Sequence, residues 1–145
     1  VAGSVAAGEV GVQFEMLVLL LVEIVSTAYY RLIRRHCGDG PIDDMCRLIL
    51  RDEIGHIAFH RARLGSRHPA GPSLAWRAMF HALGHACAAF LWLGHGKTFR
   101  TIGATRGELF RQVASGLRLF LWQLDSDRRR EAERAPSLGG VCEAH

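Results

Sequence analysis

The sequence predicts an all-α protein, a helical bundle built from an antiparallel long helix pair and two further C-terminal helices. Three observations carry that expectation. Apolar residues recur at helical spacing through long stretches. Those stretches are separated by Gly- and Pro-containing breaks, GDGP at 38–41 and GSRHPAGP at 65–72. Strand-like alternating runs are few, and the 145 residues contain only 4 prolines. With 49% apolar residues, a chain of this length can bury a real core.

The first eleven residues, VAGSVAAGEVG, are small and Gly-rich and read as a loop or a helix entry. From Val12 to Cys37 neither Pro nor Gly interrupts the chain, which predicts one long helix. Its apolar run MLVLLLV falls short of the roughly 20 residues that span a bilayer. Extended to Ile33 the run is long enough, but Glu23 then sits near its middle, where a lone carboxylate in lipid is costly. A buried bundle helix accounts for it better. In GDGP, Gly38 is read as a C-terminal cap and Pro41 as a first-turn residue of the next helix. Asp43 and Asp44 follow, where the helix dipole favours negative charge. The second helix is expected over Ile42–Leu64, antiparallel to the first because the connection is short.

Ser73 suits the N-cap of a third helix running to about Leu93, apolar nearly all round apart from a polar stripe of Arg77, His81 and His85. The two histidines lack an accompanying acid, so they read as the rim of the bundle. Gly94–Ala104 reads as a linker. Thr105 and Glu108 have capping-box spacing and open an amphipathic fourth helix carrying Leu109, Val113, Leu117, Phe120 and Leu124. After Gln123 the chain turns polar. The expected organisation is a helix pair at 1–64, a C-terminal helical extension at 65–124 packed outside it, and a disordered polar tail at 125–145.

The formal charge of +4 resides in local arginine clusters, and no nucleic-acid reader motif accompanies it, so nucleic acid is not an expected partner. No Gly-rich phosphate loop and no nucleophile elbow occur in the sequence. Cys37, Cys46, Cys87 and Cys142 lack metal-knuckle or disulfide-framework spacing and read as reduced thiols of a cytoplasmic protein. Peripheral membrane association is the less favoured location.

Two acids interrupt otherwise apolar helix faces. On the first helix, Glu23 shares a stripe with Val12, Met16, Leu19, Ser26/Thr27, Tyr30 and Arg34. On the second, Ile42, Cys46, Ile49, Glu53, His56/Ile57, His60 and Leu64 form one stripe. Burying an ionised carboxylate costs several kcal/mol unless a partner or cation compensates it, by roughly that order. Glu53 and His56, at i and i+3, lie one turn apart and converge. Glu23 lies 14 residues before Cys37 and Glu53 lies 11 after Ile42, which puts both at nearly one height. Carboxylate oxygens with one imidazole suit iron or manganese.

At Glu23 in VEIVSTAYY and Asp52-Glu53-Ile54-Gly55-His56 in ILRDEIGHIAFH the sequence resembles the ferritin-like di-iron carboxylate superfamily, specifically its C-terminal helix pair. The likeness covers residues 12–64. It implies a ferritin-like bundle, with Glu23, Glu53 and His56 as metal ligands of a di-iron centre or its manganese counterpart. It implies Asp52 as a group orienting a ligating histidine of the opposite helix pair. Tyr30 and His60 are further candidates beside the ligands. A complete site needs a second Glu and a second ExxH, and no other Glu in the chain has His three residues on. The chain is therefore expected to be N-terminally incomplete, or to complete the site as a homodimer. The function implied is an O2-activating oxidoreductase acting on a hydrophobic small molecule, with Trp76, Phe80, Phe90 and Trp92 walling its pocket. Iron storage, ferroxidase or stress protection is the second expectation. A non-catalytic helical interaction module, associated with a membrane, is the third.

Overall fold

The computed structural model describes residues 2–67 and 71–134, with side chains described over 14–66 and 71–134. They form four helices: α1 (Ala2–His36), α2 (Gly40–Arg67), α3 (Leu74–Thr101) and α4 (Arg106–Arg134). The all-α bundle expected from the sequence is the observed fold. α2 runs antiparallel to α1 and packs on α1 and α4 but not on α3. The core is shared by α1, α3 and α4 rather than divided between a helix pair and an extension. Leu20, Leu21, Ile24, Ala28 and Leu32 of α1 meet Phe80, Ala88 and Phe99 of α3 and Leu109, Val113, Leu117, Phe120 and Leu124 of α4. The helices after residue 73 are thus integral to the bundle. By length and composition Phe14–His36 is able to cross a membrane, yet its inner stripe is this core.

Every helix is longer than its sequence pattern suggests, and each difference has a physical reason. The Gly-rich start is helical from Ala2. Gly38 does not adopt a left-handed conformation, so α1 stops without a glycine cap. Instead the Asp39 carboxylate accepts a hydrogen bond from the Ile42 N–H at 3.2 Å and caps α2. Arg34 Nε donates to Asp43 Oδ1 at 2.6 Å and pins the two helix ends together. The expected linker at Gly94–Ala104 is helical through Thr101. There Trp92 stacks on Phe99 with ring centroids 5.6 Å apart and covers Gly96. The actual stop is Gly103, whose φ of +84° is left-handed.

The polar segment expected as tail is likewise helical to Arg134. Arg77 of α3 donates to Asp125 Oδ1, and Arg61 of α2 donates to Asp127 Oδ2, at 2.6 and 2.7 Å. These pairs fasten α4 to two neighbours. Residues 135–145, with the rest of the expected tail and Cys142, lie outside the described residues. The capping box at the start of α4 is formed: Thr105 N–H donates to Glu108 Oε2 at 2.8 Å, and Glu108 N–H returns to Thr105 Oγ1 at 3.2 Å.

Gly84 of α3 packs directly against Leu117 of α4. A Cβ there would lie 2.6 Å from Leu117 Cδ1, and Leu117 is wholly buried and has nowhere to move. Gly84→Ala is therefore expected to lower unfolding stability by about 1–3 kcal/mol despite alanine's better helix propensity. Urea denaturation checks this, and a rise in midpoint would contradict the close packing.

Candidate metal centre

The short connection at 37–39 sets α1 and α2 side by side, and five side chains meet on their outer seam. α1 supplies Glu23 and Ser26, and α2 supplies Glu53, His56 and His60. His56 Nδ1 lies 3.7 Å from Glu23 Oε1 and 3.8 Å from Glu53 Oε2. One ligand atom from each of these three residues lies within 4.8 Å of the other two. His60 Nε2 reaches Glu23 Oε2 at 3.3 Å from the other side. Ser26 Oγ donates to Glu53 Oε1 at 2.7 Å. The juxtaposition of Glu23, Glu53 and His56 read from helix spacing is present in the fold.

Burial grades across the cluster. The Glu23 and Glu53 side chains are 16% and 18% exposed, His60 is 5% exposed, and His56 is 64% exposed. Burial pushes the Glu23 carboxyl above the usual carboxylate range. The nearby His60 and His56 imidazoles pull it back, and the Glu53 charge adds to the rise. Two buried polar atoms, Glu23 Oε2 and His60 Nδ1, have no hydrogen-bond partner. Native interiors rarely leave such atoms unpaired, and the exceptions call for an explanation.

The donor set fits a hard or borderline cation. With metal–ligand bonds of about 2.0–2.2 Å, two donors on one ion lie roughly 3–4.3 Å apart. The 3.7 and 3.8 Å separations fall in that interval. Two carboxylates and one imidazole give a net charge and an oxygen-rich set suited to Fe(II) or Mn(II). Of the three, His56 is the most open to solvent, with its side chain 64% exposed.

The remaining candidates fall differently. His60 belongs to the cluster itself, the only one of its charged or imidazole groups that is wholly buried. Ser26, placed on the Glu23 stripe by sequence, turns its hydroxyl to Glu53 rather than to Glu23. Its position at i+3 from Glu23 was the available signal. Tyr30 packs edge-to-face on Tyr29 with centroids 5.1 Å apart, two turns along α1 from Glu23. Asp52 lies on the outer face of α2, two-thirds exposed beside Arg51. The Asp52 role implied by the resemblance needs a histidine on another helix pair.

α3 does not wall a pocket at this site. Phe80 is wholly buried in the core, Trp76 stacks on it, Trp92 stacks on Phe99, and Phe90 points outward at 77% exposure. His81 and His85 are half-buried, and the ring Nδ1 of His85 bonds the His81 carbonyl oxygen at 2.7 Å, a contact within their own helix. The stripe of α1 that carries Glu23 is also more open than its periodicity suggests, since Leu19 is half exposed.

Comparison with known proteins finds no matching family model, no matching curated protein and no matching solved structure. The physical description of the site therefore stands by itself: a carboxylate- and imidazole-lined seam on a four-helix bundle.

Proposed function

We propose that this chain binds Fe(II) or Mn(II) through Glu23, Glu53 and His56, as half of a di-iron-type carboxylate centre in a ferritin-like oxidoreductase. The observation that carries the reading is the convergence of one ligand atom from each of these three groups to within 4.8 Å of one another. A cation would offset the mutual repulsion of the two carboxylates. When bound, an iron pair of this kind supplies O2 activation for oxidation of an organic substrate.

The chain's own residues have defined tasks in this reading. Ser26 holds one Glu53 oxygen and leaves the other facing His56. His60 Nε2 faces the second Glu23 oxygen at 3.3 Å and partly offsets the rise that burial imposes on that carboxyl. Leu19 and Phe59, each about one turn from a ligand, expose apolar surface around the open side. That surface suits coverage by a second helix pair of the same chemistry. Two copies related by a two-fold axis would together offer two lone Glu and two Glu-x-x-His motifs, the full complement of a bundle-core di-metal site.

Equilibrium dialysis against Fe(II) without oxygen, and against Mn(II), tests the proposal. Bound metal is expected in the native protein and is expected to be lost in both Glu53→Ala and His56→Ala. A folded native protein that takes up neither ion, with a melting temperature indifferent to metal and to EDTA, would overturn it. Single-turnover O2 uptake by the iron-loaded protein, with and without lipophilic substrates, separates oxygenase from ferroxidase activity.

A further inference from the structure

On the other side of the α1–α2 seam, facing α4, lies a groove of about 420 Å³. That volume is within the range of small-molecule pockets, about 300–1,000 Å³. Its walls are mainly apolar, with Ile24 of α1, Ile57 of α2 and Phe120 of α4 inside and Ile54 and Leu119 exposed at the lips. Gly116 keeps it open: a Cβ there would stand 3.0 Å from Ile24 Cγ2. None of Glu23, Glu53, His56 or His60 lines it, so it is separate from the metal ligands.

Its polar groups are arranged asymmetrically. The charged residues lining the groove are Arg31 and Arg61, and no carboxylate lines it. Arg61 is satisfied by Asp127 Oδ2 at 2.7 Å and Gln123 Oε1 at 2.6 Å. Arg31 is exposed and has no acidic partner among the described residues. Gln112 lines both this groove and a smaller depression of about 140 Å³ that holds Arg35, Arg111, Glu108 and Ser115. Glu108 is committed elsewhere, to the Thr105 cap and to His36 at 3.3 Å. The groove therefore presents one uncommitted guanidinium, that of Arg31, beside an apolar trough.

We infer that this groove binds a single-chain amphiphile with an anionic head, the head at Arg31 and the chain along Ile24, Ile57 and Phe120. An apolar ligand alone would leave Arg31 without a use. A small anion alone would leave the trough wet and its apolar walls unburied. The pairing of one guanidinium that has no acidic partner with an apolar groove selects a ligand that has both parts.

Titration calorimetry with sodium decanoate below its micelle concentration tests this, using the full chain. One molecule is expected to bind saturably per chain. Arg31→Glu is expected to weaken binding about tenfold or more, the size of one lost charge-assisted contact. Decan-1-ol, the same chain without the charge, is expected to bind weaker by a similar factor. Ala58→Phe, which fills the groove from α2, is expected to abolish binding, with circular dichroism confirming that both variants stay helical. The inference is overturned if decanoate fails to saturate, if acid and alcohol bind alike to native and Arg31→Glu protein, or if only phosphatidylglycerol vesicles bind. Metal uptake enters none of these readouts, so the metal proposal and this one fail separately.

Discussion

Glu23→Leu is expected to stabilise the metal-free protein and to remove its response to metal. In the metal-free state Glu23 has lost most of its water and Glu53 lies nearby. Burial and the Glu53 charge raise the Glu23 carboxyl, so its ionised form is disfavoured in the fold, and an apolar side chain of similar size removes that cost. For a domain of this size that raises the melting temperature by about 2–4 °C per kcal/mol. Native protein, but not the variant, is expected to gain stability on adding Mn(II), by mass action on the folded state.

The sign with pH sharpens the expectation. A carboxyl whose folded pKa is raised contributes most below its ordinary value, and that contribution is lost as pH rises through the folded value. Relative to Glu23→Leu, metal-free native protein should therefore lose stability as pH rises. With metal the slope should reverse, because a cation competes with the proton for the same oxygen. Melting curves across pH, with and without Mn(II), read both slopes. A Glu23→Leu protein less stable than native without metal would show that the cluster is a self-sufficient polar network.

How far the sequence could be read follows from which interactions are local. The meeting of Glu23, Glu53 and His56 was legible because it depends on quantities that hold for any helix. Those are the i,i+3 spacing of ExxH, the rise per residue, and a short connection that forces antiparallel packing. The exposure of His56 was not legible, because the whole stripe that holds it reads as facing the core, yet His60 on it is 5% exposed and His56 is 64% exposed. The ends of α3 and α4 were misplaced for a related reason. Gly94 and Gly96 look like a break until Trp92 is known to stack on Phe99. The polar run after Gln123 looks like a tail until Arg61 and Arg77, more than 45 residues away, supply its partners. The glycine signal was overridden by an aromatic stack within α3, and the charge signal by long-range ion pairs that no spacing rule encodes.

The same limit appears inside α3, where two phenylalanines ten positions apart are equivalent by sequence and opposite in the fold. The helix is apolar nearly all round, so its pattern names no buried face. Phe80 is 0% exposed, stacked on Trp76 at 5.1 Å and tilted against Phe120 at 5.5 Å, whereas Phe90 points outward. Phe80→Ala is therefore expected to cost about 3–5 kcal/mol, from lost transfer free energy and the cavity left among Trp76 and Phe120. That is a large part of the roughly 5–15 kcal/mol that holds a domain folded. Phe90→Ala, away from any such contact, is expected to change stability by no more than about 0.5 kcal/mol. Urea midpoints at constant m-value measure both. Equal losses would mean that Phe90 is also covered in solution and that the outward face of α3 meets a partner. The asymmetry expected here makes Phe80 an anchor of α3 on α4, and Phe120, the α4 ring it touches, is a wall of the groove beside α1.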